Sequence, residues 1–472
     1  MHVIPAHQGR PSDDPIFALN KEATTRKARG ESIVNATVGA LLHDDGRLAI
    51  LPTAARAVHE VSAEEWAPYA PIAGAPDFLA AVAKDLFKDQ PEMLACAAAA
   101  ATPGGSGALR HAIANYLEPG QSILTTSFFW GPYQTLCDEA DRKLAAFTMF
   151  DAEGKLDTGA LDRALVEQMK TQKRALVILN DPCHNPTGYS MTAAEWRAVV
   201  ECLLARSGEG PITLLCDTAY FAYAARPDPR AFMNELLPLL GKVGLAFAWS
   251  ASKTFTHYGL RVGAIVACIP DAKERAATEA AFSYSCRGTW SNCTRGGMSA
   301  ITRLLTEPAM AKSSDAEREE LKALLGARVV AFNHAAKARG LRYPRYEGGF
   351  FVTVFTDDAH ERALRMKEQG VFVVPAKGAL RVALCSVAEK DVPRLVDALA
   401  TLAALRRHAF QGAAVAGCAS FASSSPARSR ARISSKPPMG SSLMKICGTV
   451  RCPVVLTSQS RFSWSPLTSI SS

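Results

Sequence analysis

The 472-residue sequence has no uninterrupted apolar stretch of about 18 residues, so a transmembrane helix is not expected. Its first residues, MHVIPAHQGRPSDDPIF, show no basic segment followed by an apolar one, and a secretory signal is not expected either. Twelve cysteines are present, but none forms a CxxC pair. They sit singly in apolar runs such as LLCD and VACI, as free thiols of a reduced, cytoplasmic protein do. Neither GxxxxGK[ST] nor GxGxxG occurs, which removes the Walker and dinucleotide loops, and no metal is expected. Residues 411–472 lack Asp and Glu altogether while carrying five Arg and two Lys. That tail supplies +7 of the net charge of +8, leaving +1 for the preceding 410 residues, too little to imply a nucleic-acid partner.

What is present is the composition of a globular protein, 48% hydrophobic and 21% charged, and long enough for at least two substructures. From about residue 95, short apolar runs alternate with amphipathic stretches. ACAAAAAT, SILTT, AAFTMF, RALVILND, ITLLCD, LAFAWS and RVGAIVAC each fit a buried strand. SGALRHAIANYL, TGALDRALVEQMKTQ, TAAEWRAVVECLLAR and RAFMNELLPLL read as helices between them. The alternation implies an α/β fold, a mostly parallel sheet between helices. A long helix around 310–340, the short strands FFVTVF, FVVPA and LRVALCS, and a last helix KDVPRLVDALATLAALRRH outline a smaller α/β unit. The expected organisation is an N-terminal arm with part of the small unit over 1–45, a large domain over 46–305, a small domain over 306–410, and a disordered basic, Ser-rich tail over 411–472. The segment before residue 45 is poorly periodic.

Open parallel sheets bind ligands at the carboxyl ends of their strands, so the residues after each run carry the most information. After ACAAAAAT comes PGGSGALR, a glycine turn opening a helix, where Gly105 and Ser106 offer N–H groups and a hydroxyl to an anion. After RALVILND comes PCHNPTGYS with Asn185, and after ITLLC come Asp217 and Tyr220. The stretch SASKTFTHYGLRVG adds Ser250, Lys253 and Arg261. Singly, each has a structural reading as a turn, a cap or a loop. Together they supply an anion cradle, a carboxylate, hydroxyl and amide donors, and an amine. A phosphorylated aromatic aldehyde with a basic ring nitrogen, pyridoxal 5′-phosphate, matches that set. The amine condenses with the aldehyde, and the carboxylate keeps the ring nitrogen protonated.

In order along the chain, NATVGALLHDDG, YAPIAGAPDF, GGSGA, FFWGPY, HNPTG, DTAY, SASK…R and RVALCS resemble the motifs of the aspartate/aromatic amino-acid aminotransferases, the fold-type-I enzymes dependent on pyridoxal phosphate. The resemblance covers roughly residues 15–405. It implies that Gly39 offers its backbone to the substrate carboxylate and that Tyr69 reaches the cofactor phosphate of a neighbouring subunit. It stacks Trp130 on the pyridine, places Asn185 and Tyr220 on the ring oxygen, and pairs Asp217 with the ring nitrogen. Gly105, Ser106, Ser250 and Arg261 take the phosphate, and Lys253 takes the aldehyde. Arg381 binds the substrate α-carboxylate bidentately. Arg287, in CRGTWSN, crosses a dimer interface to a distal carboxylate. Trp130 and Asn185 also border the substrate. Three departures stand out: Gly104 in place of the usual serine, Pro132 and Tyr133 in place of polar residues, and CTRGG in place of a proline-rich turn.

The implied activity is transfer of an amino group from aspartate, glutamate or an aromatic amino acid to a 2-oxo acid such as 2-oxoglutarate, by a ping-pong sequence in a homodimer with shared sites. Lys253, Asp217 and Tyr220 are the expected catalytic residues. The alternatives are a lyase or decarboxylase on the same fold, or an inactive ligand-sensing scaffold.

Overall fold

The computed structural model describes residues 2–11 and 14–400. The basic tail over 411–472 and the end of the last helix lie outside the described residues. Among the described residues twelve strands form three sheets. In chain order they are β1 (Val34–Asn35), β2 (Ala97–Pro103), β3 (Ser122–Thr126), β4 (Lys143–Phe147), β5 (Ala175–Asn180), β6 (Ile212–Asp217), β7 (Gly244–Ser250), β8 (Val262–Cys268), β9 (Phe351–Phe355), β10 (Val371–Phe372), β11 (Val374–Ala376) and β12 (Ala379–Ala383).

The seven apolar runs all become strands of one sheet, ordered β2-β8-β7-β6-β5-β3-β4. Six of them run in one direction, and β8 runs antiparallel to both its neighbours, β2 and β7. Every residue of β5, β6 and β8 is buried. Helices on both faces explain why these strands are continuously apolar and not alternating. The helix Ala193–Arg206 begins where Thr192 and Glu195 form a reciprocal capping box.

The chain also forms the long helix Pro308–Ala338, an antiparallel sheet ordered β11-β12-β9 and a two-stranded parallel sheet of β1 with β10. The last pairing sets Val34 beside Val371 and so brings the amino-terminal segment to the far end of the chain. The fragment FVVPA thus divides between two sheets. LRVALCS is a strand only to Ala383 and then tightens into a 3₁₀ turn, Leu384–Ser386.

Two local expectations differ from the structure. RAFMNELLPLL is a one-turn helix, Met233–Leu236, followed by a 3₁₀ turn, because Pro238 has no N–H for a continuing α-helix. The poorly periodic amino-terminal segment contains a 14-residue helix, Pro15–Ala28, capped by the Asp14 carboxylate. Only Ala23 of that helix is buried, so it carries no apolar stripe for a periodicity argument to find.

Candidate active site

Register places the chemistry. Asn180 at the end of β5 pairs with Asp217 at the end of β6, and Asp217 pairs with Ala248 near the end of β7. The loops after these strands therefore open at one edge. Because β8 is reversed, its start lies there too, with Arg261 just before it. Pro103 at the end of β2 pairs with Val262, which puts the start of the helix Gly104–Tyr116 at the same edge. A cavity of about 210 Å3 results, lined by Gly105, Ser106, Trp130, Asn185, Asp217, Tyr220, Ser250, Lys253 and Arg261, all expected from the sequence. Leu109, Asn180, Ala219 and Ser252 complete its wall.

Asp217 is 5% exposed, and burial pushes its carboxyl pKa up. Its hydrogen bonds act in the opposite direction. The Tyr133 hydroxyl donates to Oδ2 at 2.7 Å, and the Ala219 N–H donates to Oδ1 at 3.1 Å. Asn180 holds the neighbouring backbone, donating from Nδ2 to the Asp217 carbonyl at 2.8 Å and accepting from the Asn185 N–H at 2.6 Å. Asn185 in turn donates to the Tyr220 hydroxyl at 3.3 Å, while its own Oδ1 is buried without a partner.

Lys253 lies in the short helix Ala251–Thr254 that follows β7. Among the described residues its amine makes neither a hydrogen bond nor an ion pair, and it stands 5.1 Å from the centre of the Tyr220 ring. Desolvation pulls its pKa down to about 8, against the opposing pull of the Asp217 carboxylate. Arg261 holds a left-handed φ of 60° and donates to the Ser252 hydroxyl at 3.1 Å and to the Tyr258 carbonyl at 2.8 Å. Its guanidinium sits where a side chain at Gly104 would be: a Cβ there would come within 2.4 Å of Nη2. Gly104 itself holds a left-handed φ of 69°, a conformation that favours glycine. Ser250 Oγ accepts the Ser252 N–H at 3.2 Å.

The remaining predicted residues lie elsewhere. Arg381, on β12, is 7% exposed and packs 4.8 Å above the centre of the Phe351 ring. Its Nη2 donates to the Thr37 carbonyl, and its Nε is buried without a partner. Gly39 abuts the same ring. Tyr69 is 89% exposed, and Arg287 bonds the Ser291 hydroxyl at 2.7 Å on the surface, so neither enters the cavity of its own chain.

The sequence reading missed Tyr133, Asn180 and Ser252. Tyr133 was legible only as a departure after the tryptophan. Its place three residues beyond Trp130, in the helix Pro132–Glu139, was the available signal, one helical turn that turns a phenol toward Asp217. Asn180 ends a fully buried strand, where an amide needs partners.

Asp217, Lys253, Arg261 and Arg381 carry buried or half-buried charge, and among the described residues none makes an ion pair. Such charges are costly unless something complementary arrives. A fitting complement has an anion for Arg261 and the helix N-terminus, an N–H for Asp217, an oxygen for Asn185 and Tyr220, and an electrophile for Lys253. Pyridoxal 5′-phosphate has all four, and the residues present fit it.

Known proteins agree with the geometry. The model of the family "Aminotransferase class I and II" matches residues 31–399. An aspartate aminotransferase of Pseudomonas aeruginosa is 28% identical over 380 residues, covering 76% of this chain and 90% of that enzyme. The crystal structure of an aminotransferase from Anaerococcus prevotii is 31% identical with a TM-score of 0.81, covering 85% of this chain and 99% of the other. An aromatic-amino-acid aminotransferase from Burkholderia pseudomallei, solved covalently bound to pyridoxal phosphate, has the same fold at a TM-score of 0.71 and 24% identity, covering 85% of this chain and 99% of the other. The chain belongs to the class I and II aminotransferases, a family that works through pyridoxal 5′-phosphate.

Proposed function

We propose that the chain moves the amino group of a dicarboxylic or aromatic L-amino acid to a 2-oxo acid such as 2-oxoglutarate, the two half-reactions alternating on one site. The observation that carries this reading is the Lys253 amine, unpaired among the described residues, lining a cavity that the buried Asp217 carboxylate also lines. The relatives' printed substrates, aspartate and aromatic amino acids, mark the range to test.

Pyridoxal phosphate supplies an aldehyde that condenses with amines and a ring that withdraws electron density from the substrate Cα. The chain's own residues do the rest. Gly105, Ser106, Ser250 and Arg261 would hold the phosphate, and Trp130 would line the ring's place in the cavity. Asp217, held in place by Tyr133, would keep the ring nitrogen protonated. Asn185 and Tyr220 would hold the ring oxygen. Arg381 and the backbone at Gly39 bind the α-carboxylate and so orient the Cα–H bond, a positioning effect worth several kcal/mol. Lys253 Nζ, with a pKa near 8, removes the Cα proton and returns it as a general acid.

Tyr69 and Arg287 serve the site of a second copy, Arg287 meeting a distal carboxylate and Tyr69 a phosphate. Their exposure supports this homodimer, and so does Trp66, 58% exposed close to Tyr69. Residues 1–45 form the arm, 46–305 the large domain and 306–410 the small domain, a division supported by the pairing of β1 with β10. Among the described residues no helix is long and apolar enough to cross a membrane. The nine cysteines that are free thiols there support a cytoplasmic setting. A panel of amino acids against 2-oxoglutarate, followed by keto-acid production and by cofactor absorbance, tests the substrate range. Substrate-dependent ammonia or CO2 release without amino exchange would overturn the transfer reaction.

A further inference from the structure

One buried ring touches both halves of the site. Phe351 opens β9 and is 2% exposed. The Arg381 guanidinium lies over one face, 4.8 Å from the ring centre. The Tyr220 ring meets it edge-on, with centroids 5.7 Å apart and planes at 82°. Its tip carries Gly39: a Cβ there would lie 2.3 Å from Phe351 Cζ, and the three nearest atoms all belong to that ring. The backbone at residue 39 thus rests on the phenyl group more closely than any side chain allows. The strand ladder fixes this arrangement, since Phe351 pairs with Ala383 and Thr353 with Arg381. Thr353 Oγ1 also donates to the Pro186 carbonyl at 2.9 Å, joining β9 to the loop of Asn185.

Arg381 needs such a support. Among the described residues its guanidinium makes one hydrogen bond, to the Thr37 carbonyl. One anchor leaves a long side chain free to swivel, whereas a flat ring beneath it fixes the plane in which a carboxylate is bound. The position of that plane is shared with Gly39 and with Tyr220 through the same six carbons.

We propose that Phe351 is a positioning residue of this aminotransferase: its ring sets the plane of Arg381 against the backbone of Gly39 and registers both with Tyr220. The proposal rests on the reading of Arg381 and Gly39 as the α-carboxylate site. A phenylalanine that merely fills the core predicts lost stability and nothing more, so the test must read substrate binding.

The experiment uses the full chain loaded with pyridoxal phosphate and compares Gly39→Ala, Phe351→Leu and the double variant. Measured are KM and kcat for an amino donor and for 2-oxoglutarate, the visible absorbance, and the melting temperature. Gly39 is half-buried without a left-handed φ, so alanine there is opposed by the ring and not by the backbone. Each single variant is expected to raise KM for both substrates by roughly tenfold with a smaller change in kcat, and the double to match Phe351→Leu alone, the non-additivity of groups in contact. Multiplying effects, or unchanged KM with only a lower melting temperature, would overturn the proposal. If Phe351→Leu fails to fold, Phe351→Tyr keeps the stack but adds an oxygen at the tip facing Gly39. It is then expected to reproduce the KM rise of Gly39→Ala, and unchanged KM would count against the proposal. Arg381→Ala serves as the control: were it alone to leave KM unaltered, the carboxylate-site reading would fail and not the role of Phe351.

Discussion

At the edge of the large sheet, Asp217 ends a strand and Asn185 and Lys253 follow the ends of its neighbours, and the ladder β5-β6-β7 sets their spacing. Gly39 and Arg381 come instead from opposite ends of the described chain. They meet because β1 pairs with β10, and because single side-chain contacts join residues 37–39 to β9 and β12. The first group stands on backbone hydrogen bonds that cannot slip without unpairing a sheet. The second also has backbone ladders behind it, β12 with β9 and the Ala383 N–H on the Ala36 carbonyl at 2.9 Å, but its side chains meet across them through a stacked ring and one carbonyl. The cofactor half is therefore expected to be rigid and preformed, and the substrate half to be the part that different amino acids tune.

Four experiments test that division. On the proposed function Lys253→Ala removes both the covalent anchor and the proton carrier, and kcat is expected to fall by about 10⁴-fold or more, together with the lysine-linked visible absorbance. Wild-type-like turnover by this variant would end the assignment. Arg381→Ala strikes only the substrate half. Losing a bidentate charged contact worth about 3 kcal/mol is expected to raise KM for amino and oxo acid roughly a hundredfold, with absorbance and cofactor affinity unchanged. A coupled loss of cofactor would show that the two halves are not separable.

Tyr133→Phe probes the cofactor half more gently. It strips one of two hydrogen bonds from a buried carboxylate, at a cost of about 1–2 kcal/mol, so affinity for pyridoxal phosphate, read by titration of the apo chain, is expected to drop around tenfold. The pH dependence of cofactor uptake gives the smallest effect. Condensation requires the neutral amine, and burial lowers the Lys253 pKa to about 8. The neutral fraction therefore grows as pH rises through that value. The rate of uptake is expected to increase about fivefold between pH 7 and 8 and to level off beyond 9, whereas an ordinary lysine, titrating near about 10.4, would keep it rising past pH 10. A rate still climbing at pH 10 would show that the pocket does not desolvate the amine.

Legibility followed the same division. Strand ends are readable because continuous apolar runs stop where a polar residue begins, and the residues just beyond them gave Asn185, Asp217, Lys253 and Arg261 with no reference to neighbours. Tyr133 and Asn180 were missed because each serves another side chain, a relation fixed only when helix and strand come to lie together. The helix Pro15–Ala28 was missed because it buries a single alanine and so imposes no pattern. Tyr69 and Arg287 could be named only by resemblance, since their surroundings lie outside their own chain's cavity.

By itself the sequence determined which residues carry charge and nucleophilicity, and that they recur at the carboxyl ends of successive strands, because hydrophobic patterning and chain order are local. Tertiary structure alone decided that Gly104 yields its space to the Arg261 guanidinium, that a phenol stands behind Asp217, and that the Phe351 ring lies between Gly39, Arg381 and Tyr220. The physical reason is distance along the chain. Contacts between residues hundreds of positions apart depend on how sheets and helices pack in space, and no local period records that packing.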